Sequence, residues 1–572
     1  MTAERTYRGG AATPERLEAV GPLQLDGQEA VWAVPDDGFD YSDGTQTEAA
    51  IYQAIKATPD RSVFSPGLRD QIHDWPTEYH FSCRRGNLLR HLGLGPGQAV
   101  LELGAGCGAV TRFLGETGAS VTAVEGSLAR ARCAAARCAG MENVSVHCGR
   151  FECFVPRPRF DVVLLIGVLE YAPRFYPGPD PLLQCLNFAR RWLKPGGELL
   201  LAIENQLGLK YLLGAEEDHH GKPYHGVADR YRRREAVTLG RRELSEQLTA
   251  AGFGGQRFAF PFPDYKLPVA LVTEAGFATR AFDPSDLLRH LPAWSQHQQR
   301  PQLPFDMRRS WPVLLRNGIT ADLSNAFLVQ AKADPYAADP GGDLAYAYAA
   351  DRAAAYATST RFFRPTATGP VEVDKLRMVP SGLVSAPVST PASAGTLTHA
   401  VTRAAYLPGR LLETDVADAI DHRDAAGLMA GLQDWKAYLL QNATETPAAG
   451  PAAIGRPETI DWIPRNLIRG DGGDLAVIDQ EWSLNEPFSL NTLMLRYLTL
   501  IAPGLRWARS AGGGGAFELR EVARTLGLDV GPTAIAELEK IDDRLRSRVT
   551  PWLPPLRGER FFGPPSVELQ SR

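Results

Sequence analysis

The sequence predicts an α/β protein, with a parallel sheet wrapped by helices in its N-terminal half and a second domain beyond a linker. Three observations carry this. Short apolar runs alternate with helical stretches from Gln98 onward, at Ala99–Leu103, Val121–Val124, Val144–His147, Phe160–Leu165 and Glu198–Ile203; such alternation marks parallel strands joined by helical crossovers. A glycine-rich turn, Gly104-Ala105-Gly106-Cys107-Gly108, lies between the first run and a helix starting at Ala109. Ala333–Asp343 is rich in Asp, Pro, Ala and Gly, the composition of a linker.

The elements follow in order. Tyr41–Leu92 reads as helices leading into the sheet, with Trp75-Pro76 as a breaker and an apolar pattern through Leu88, Leu89 and Leu92. Further helices start at Ser127, cover Leu182–Leu193 before Lys194-Pro195-Gly196-Gly197, and cover Arg241–Ala251 before Gly252. The expected domains are a helical extension and cap over 1–95, the sheet domain over 96–332, a second domain over 343–510 and a helical tail over 511–572. Val379–Gly395 and Asn442–Pro457 read as low-complexity loops, and Gly512–Gly515 as a flexible loop before a final helical pair.

At 572 residues the chain is too long for one hydrophobic core. A net charge of -5 gives no global electrostatic footprint for nucleic acid. The basic run Arg230, Arg232, Arg233 and Arg234 reads as a solvated helix face. The longest apolar run, Val162–Leu169, suits a buried strand and is too short for a transmembrane segment. No hydrophobic segment follows Glu4, Arg5 and Arg8, so a cytoplasmic location is the expectation. The seven cysteines, between Cys83 and Cys185, include no Cys-x-x-Cys pair and read as reduced thiols. Nothing in the sequence specifies an oligomeric state.

Glycines spaced as in Gly104–Gly108 let the backbone turn tightly and approach a ligand, and the helix behind them offers free N–H groups. Glu125 closes the next strand, where a carboxylate can accept hydrogen bonds from both hydroxyls of a ribose. With Leu101-Glu102-Leu103 before the loop, the segment resembles the class I S-adenosylmethionine-dependent methyltransferases over roughly Asp74 to Lys266. The resemblance implies a Rossmann-like methyltransferase sheet with N-terminal helices and S-adenosylmethionine as cofactor. It implies that Gly104, Ala105, Gly106 and Gly108 face the methionine moiety, supported by Glu102, and that Glu125 holds the ribose. Gly149, Arg150 and Phe151 would meet adenine, Arg150 standing where the family has an acidic residue. Ile166, Gly167 and the residues to Tyr171 would line the methyl-transfer face. Tyr79 and Arg84, with Arg85, either cover the sulfonium and pair the methionine carboxylate or are core aromatic and surface arginines.

Methyl transfer is an in-line displacement, so alignment of the nucleophile can supply roughly 7–11 kcal/mol. A hydroxyl acceptor gains further from a base or a metal. The cluster Glu216-Glu217-Asp218-His219-His220, with His225 beyond it, offers either, His219 or His220 being the candidate base; the alternative is a solvated acidic loop. Ile203–Tyr211 looks like methyltransferases encoded with bacterial polysaccharide-assembly enzymes, which implies a glycan or glycolipid acceptor.

In the second half, Asp461, Asn466 five residues on and Asp479 thirteen beyond have the layout of a kinase catalytic loop and its magnesium-binding Asp. Asp343–Trp507 resembles the sugar and small-molecule kinase branch of the protein-kinase-like fold. That implies an α+β kinase-like domain using ATP and Mg²⁺, with Asp461 as base, Asn466 and Asp479 as metal ligands and Lys375, on the strand Val371–Lys375, at the phosphates. Tyr406–Arg410 looks like the segment after the hinge. Thr459 and Glu481 depart from the family's His and Gly, no glycine-rich loop precedes Lys375, and no acidic residue lies between Lys375 and Glu413. The pairing of halves is similar to the methyltransferase-kinases that cap bacterial O-antigen chains, without their long coiled coil. Two alternatives stand beside the bifunctional enzyme: a methyltransferase whose second half binds acceptor or partner, and a scaffold that binds cofactor without catalysis.

Overall fold

The computed structural model describes residues 14, 16–35, 39, 44–294, 297, 303–336, 342–379, 397–443, 450–510 and 518–562, without the side chains of 504 and 506–510. The chain divides into two compact units, one of 1–280, 287–350 and 364–369, the other of 281–286, 351–363 and 370–572.

The first unit is built on a mixed sheet. Its described strands are β1 (Gln24–Leu25), β2 (Val31–Ala33), β3 (Ala99–Leu103), β4 (Ser120–Glu125), β5 (Val144–Cys148), β6 (Phe160–Ile166), β7 (Leu193–Glu204), β8 (Gly255–Phe262), β9 (Ala270–Thr273), β10 (Ala326–Lys332) and β11 (Gly342–Ala349). They lie in the order β1-β2-β5-β4-β3-β6-β7-β10-β8-β9-β11. From β2 to β7 neighbours are parallel, and from β7 outward they are antiparallel. β6 is buried along almost its whole length, as a strand covered on both faces must be. The strand order reverses between β3 and β6: β4 and β5 build to one side, β7 to the other. Open sheets of this kind bind ligands beyond the carboxyl ends of the strands at that reversal, and Gly104 and Gly167 stand there.

Four details differ from expectation. Trp75-Pro76 opens a helix, Trp75–Phe81, instead of breaking one: Asp74 caps it by accepting the Thr77 N–H at 2.9 Å, and Pro76 falls in the first turn, where its missing N–H costs nothing. β7 starts at Leu193, not Glu198. Phe160 pairs with Leu193 and Val162 with Glu198, so Lys194–Gly197 bulges from a continuous strand. The basic run is exposed but not helical, because Asp229 and Arg234 hold φ of 49° and 69°, outside the right-handed helical region. β11 lies past the expected linker yet pairs with β9 in the first unit's sheet; linker residues 337–341 are outside the described residues.

Helix Thr45–Ala57 buries Ile51 and Ile55 with Phe81, Cys107, Cys133 and Ala136. Ala131, Ala134 and Ala135 of the helix Leu128–Arg137 pack with Val31, Ala123 and Val146 of the sheet. All seven cysteines are free thiols.

The second unit contains β12 (Thr358–Arg364) and β13 (Glu372–Arg377), antiparallel to each other, β14 (Leu397–His399), β15 (Arg403–Ala405), β16 (Arg410–Leu411), β17 (Leu467–Arg469), β18 (Leu475–Val477) and β19 (Trp482–Leu484). β15 pairs with β13, β14 with β19, and β17 sits between β16 and β18. Helices Leu412–His422, Ala425–Asn442, Leu490–Ser510 and Pro532–Val549 supply most of a core centred on Trp435, Phe488 and Tyr497. The Trp435 indole N–H donates to the Trp462 carbonyl at 2.8 Å, which fixes the loop before Asn466 against that core. Residues 380–395, 444–449 and Gly512–Gly515 lie outside the described residues. No helix among the described residues is long and apolar enough to cross a membrane.

Candidate active site

At the carboxyl end of β3, Gly104, Gly106 and Gly108 all take positive φ, 85°, 57° and 81°. A Cβ on Gly104 would lie 2.5 Å from Val168 Cγ2, and one on Gly108 2.6 Å from Ala134 Cα, so both conformation and space demand glycine. The loop is tied down by Glu125 at the end of β4. Glu125 Oε2 accepts the Gly106 N–H at 2.8 Å and Oε1 accepts the Ser127 N–H at 3.0 Å.

This loop forms one edge of a cavity of about 410 Å³, walled by Trp75, Tyr79, Gly104, Glu125, Gly149, Arg150, Phe151, Gly167, Glu170, Tyr171, Glu204, Asp218, His219, Tyr265 and Lys266 among others. Expected residues therefore meet here: Tyr79, Gly104, Glu125, Gly149, Arg150, Phe151, Gly167, Val168, Glu170, Tyr171 and His219. Ala105, Gly106, Gly108 and Ile166 stand behind the wall and shape it. Glu102 also stands behind it, buried, accepting the Thr111 hydroxyl at 2.6 Å; burial pushes its pKa up to about 8. Neither Arg84 nor Arg85 lines the cavity; Arg85 lies behind the wall, with its guanidinium 4.3 Å from the Tyr79 ring centroid and a 2.7 Å bond to the Lys266 carbonyl.

The wall farther along β6 and β7 is polar and buried. Lys266 Nζ lies 2.5 Å from both Glu204 Oε1 and Asp218 Oδ1, and Lys210 Nζ lies 2.8 Å from Asp218 Oδ2. His219 Nδ1 is 2.9 Å from Glu217 Oε1, and its Nε2 is 3.7 Å from Glu170 Oε1. Burial works against a charged imidazole there, but the hydrogen bonds to Glu170 and Glu217 outweigh it and raise the His219 pKa to about 10. His219 thus favours its protonated form, and its Nε2 offers a lone pair only when that proton leaves. His220 is not in the wall: its Nε2 bonds to the Ala236 carbonyl at 3.0 Å and its ring stacks on His225 at 4.2 Å. Of the two candidate histidine bases, His219 lines the cavity and His220 does not.

Residues 101–199 match a family model described as a methyltransferase domain. Residues 101–199 thus carry a methyltransferase domain. Over 110 residues the chain is 33% identical to demethylmenaquinone methyltransferase of Tropheryma whipplei (strain Twist), a match covering 19% of this chain and 43% of that protein. The chain thus spans less than half the length of the curated relatives it matches. Among solved structures it is similar to phosphoethanolamine N-methyltransferase 2 of Haemonchus contortus in complex with S-adenosyl-L-methionine (20% identity, 51% of this chain, 59% of that chain, TM-score 0.29). It is also similar to a SAM-dependent methyltransferase from Archaeoglobus fulgidus (15% identity, 45% of this chain, 97% of that chain, TM-score 0.27).

Glu170 falls in the stretch to Tyr171 expected to line the methyl-transfer face, whereas Glu204, Tyr265 and Lys266 had no individual role in the sequence reading. Glu204 had a readable signal, since it ends an apolar strand as Glu125 does. Tyr265 and Lys266 had none, because they follow β8, an antiparallel strand that meets the site only through its pairing with β10.

In the second unit, Lys375, Asp461, Asn466 and Asp479 come together. Asn466 Nδ2 donates to the Asp461 carbonyl at 2.9 Å and to its Oδ1 at 3.0 Å. Asp461 Oδ2 accepts the Glu481 N–H at 2.9 Å, and burial raises the Asp461 pKa to about 7. Lys375 Nζ pairs with Asp479 and lies 3.2 Å from Glu481 Oε2. The acidic partner missing between Lys375 and Glu413 is supplied from farther along the chain by Asp479 and Glu481, the latter also pairing with Arg352 at 2.7 Å and His399 at 3.1 Å. Asp479 holds φ of 55°, an unusual conformation for a residue with a side chain.

Proposed function

We propose that the protein transfers the methyl group of S-adenosylmethionine to a hydroxyl of a glycan or glycolipid. The supporting observation is the cavity at the strand-order reversal, with Glu125 and Phe151 at one end and the buried polar wall of Glu170, Glu204 and Lys266 at the other. Its volume suits one nucleoside-sized ligand with room for part of an acceptor. The donor supplies an electrophilic methyl on a sulfonium. Glu125 has the position to hold the ribose, Tyr79, with Arg85 behind it, to cover the methionine end, and the polar wall to orient an acceptor. The glycan reading rests on the resemblance of Ile203–Tyr211, and a charged wall suits a polyhydroxylated acceptor better than an isoprenoid quinone. The free cysteines favour a reducing, cytoplasmic location. The test is transfer of labelled methyl from S-adenosylmethionine to a panel of bacterial surface glycans and glycolipids, with demethylmenaquinone alongside. Labelling of glycan hydroxyls is expected; labelling of the quinone alone would replace this acceptor class.

A second reading concerns the second unit: that it binds a nucleotide with Mg²⁺ through Lys375, Asn466 and Asp479, Asp461 facing an acceptor hydroxyl. The donor set fits. Asn466 spends its amide N–H on Asp461, leaving Oδ1 as its acceptor, and with the Asp479 carboxylate this makes two hard oxygen donors of the kind Mg²⁺ takes. Lys375 is already neutralised by Asp479 and Glu481, so weak nucleotide binding is expected. ATP titration with and without Mg²⁺, on the parent and on Asp479→Ala, decides it. Magnesium-dependent binding lost in the variant supports this reading, while a parent that binds no nucleotide at millimolar concentration leaves the unit as a recognition module for acceptor or partner.

A further inference from the structure

Glu170 and Glu204 are 1% and 0% exposed, and both line the cavity. Each has one carboxylate oxygen, Oε2, that is buried without any hydrogen-bond partner. A buried anionic oxygen left unpaired costs several kcal/mol, and two facing one space point to something that sits between them. Beside them stands His219, whose two ring nitrogens are differently committed. Nδ1 is held at 2.9 Å by Glu217, and Glu217 is itself fixed by the N–H groups of His219 and His220 at 2.9 and 2.8 Å. Nε2 is left facing Glu170. A carboxylate that orients one imidazole nitrogen so that the other can bind is the usual outer shell of a histidine metal ligand.

We propose that Glu170, Glu204 and His219 bind a divalent cation of the Mn²⁺ type at the acceptor end of the cavity. One ligand atom from each lies within 4.8 Å of the others, a set that closes on an ion by side-chain rotation. Two carboxylates and one imidazole suit a metal between the oxygen-seeking and nitrogen-seeking ions, with coordination positions left open. The charge supports the same reading. Glu170, Glu204, Glu217 and Asp218 stand beside Lys210 and Lys266, and a divalent cation that displaces the His219 proton offsets the excess of carboxylates. Lys266 does not compete, since it occupies Glu204 Oε1 and leaves Oε2. Resting on the methyl-transfer reading, the ion's role is to hold an acceptor hydroxyl by its oxygen, facing the donor.

The test is titration of the full chain, stripped with EDTA, with Mn²⁺, followed by the loss of the free-ion EPR signal and by calorimetry. One site is expected, weakened at least tenfold in Glu170→Gln and in His219→Ala and kept in Glu246→Gln, which removes an exposed carboxylate paired only with Arg242 on its own helix. Glu170→Gln is nearly isosteric and loses no partner at Oε2, so circular dichroism like the parent's is expected and its Mn²⁺ affinity is readable even if His219→Ala fails to fold. No site in the parent at millimolar Mn²⁺, or a site unchanged in Glu170→Gln, overturns the proposal. Calorimetry with S-adenosylhomocysteine on the same samples separates the two readings: a parent that binds Mn²⁺ but no nucleoside fails the methyltransferase reading alone.

Discussion

The Thr111 hydroxyl donates to the Glu102 carboxylate at 2.6 Å, inside the methyltransferase domain and behind the glycine loop. Burial raises the Glu102 pKa from 4.5 to about 8, against the pull of Thr111 and Arg85. The folded state therefore binds a proton here that the unfolded chain releases above pH 4.5. The stabilisation is fully present below about pH 4.5 and is lost as pH rises to about 8, on the order of 5 kcal/mol in all. Melting of the parent at pH 6 and pH 9 is expected to show a drop that Glu102→Gln reduces. Parallel pH curves for the two proteins would contradict it.

His147 and His91 act in the opposite direction. Burial lowers His147 to about 3, with Arg16 adding to the shift, and lowers His91 to about 4. His147 Nε2 accepts the Leu17 N–H at 3.1 Å, a bond only the neutral ring can make at that nitrogen. Unfolded histidine takes up a proton near pH 6.5 and these do not, so the stability they permit is lost as pH falls from 6.5 toward 4. Acid denaturation of His147→Gln, which keeps an acceptor without the charge, is expected to begin at a lower pH than the parent's. An unchanged midpoint would remove His147 from the account.

Glu481 anchors the second unit. Burial raises its pKa, but bonds to His399 and Arg352 outweigh this and hold it well below the usual carboxylate range. Removing one member of a buried charge network leaves the others uncompensated, at about 3 kcal/mol. Urea unfolding of Glu481→Ala should show that loss, and Arg352→Ala in the same background should add little, because the two share one network. Additive losses would mean that the Arg352 pair stands alone.

Much of the first unit is legible in the sequence, for a physical reason. Buried parallel strands must be apolar throughout, so β3, β4, β5 and β6 appear as runs with nearly their observed limits, and the loop's glycines declare a backbone that other residues cannot adopt. What escaped notice is what depends on distant pairing. Tyr265 and Lys266 reach the cavity from the loop after β8, and Arg85 rather than Arg84 lies against Tyr79. The role of His219 escaped for another reason: its protonation is set by Glu170, far from it in sequence. In the second half, the spacing of Asp461, Asn466 and Asp479 was readable, whereas the pairing of Lys375 with Glu481 depends on β14 lying beside β19, which no local pattern announces.

The most direct test of the central claim is calorimetric titration of the full chain with S-adenosylmethionine, parent against Glu125→Ala. Glu125 ties the Gly106 and Ser127 N–H groups while facing the cavity, so its loss removes the ribose acceptor and loosens the loop. The account predicts saturable one-to-one binding by the parent and a loss of about 1–3 kcal/mol in the variant. No saturable binding to the parent at millimolar donor, or equal affinity in the two proteins, would contradict it.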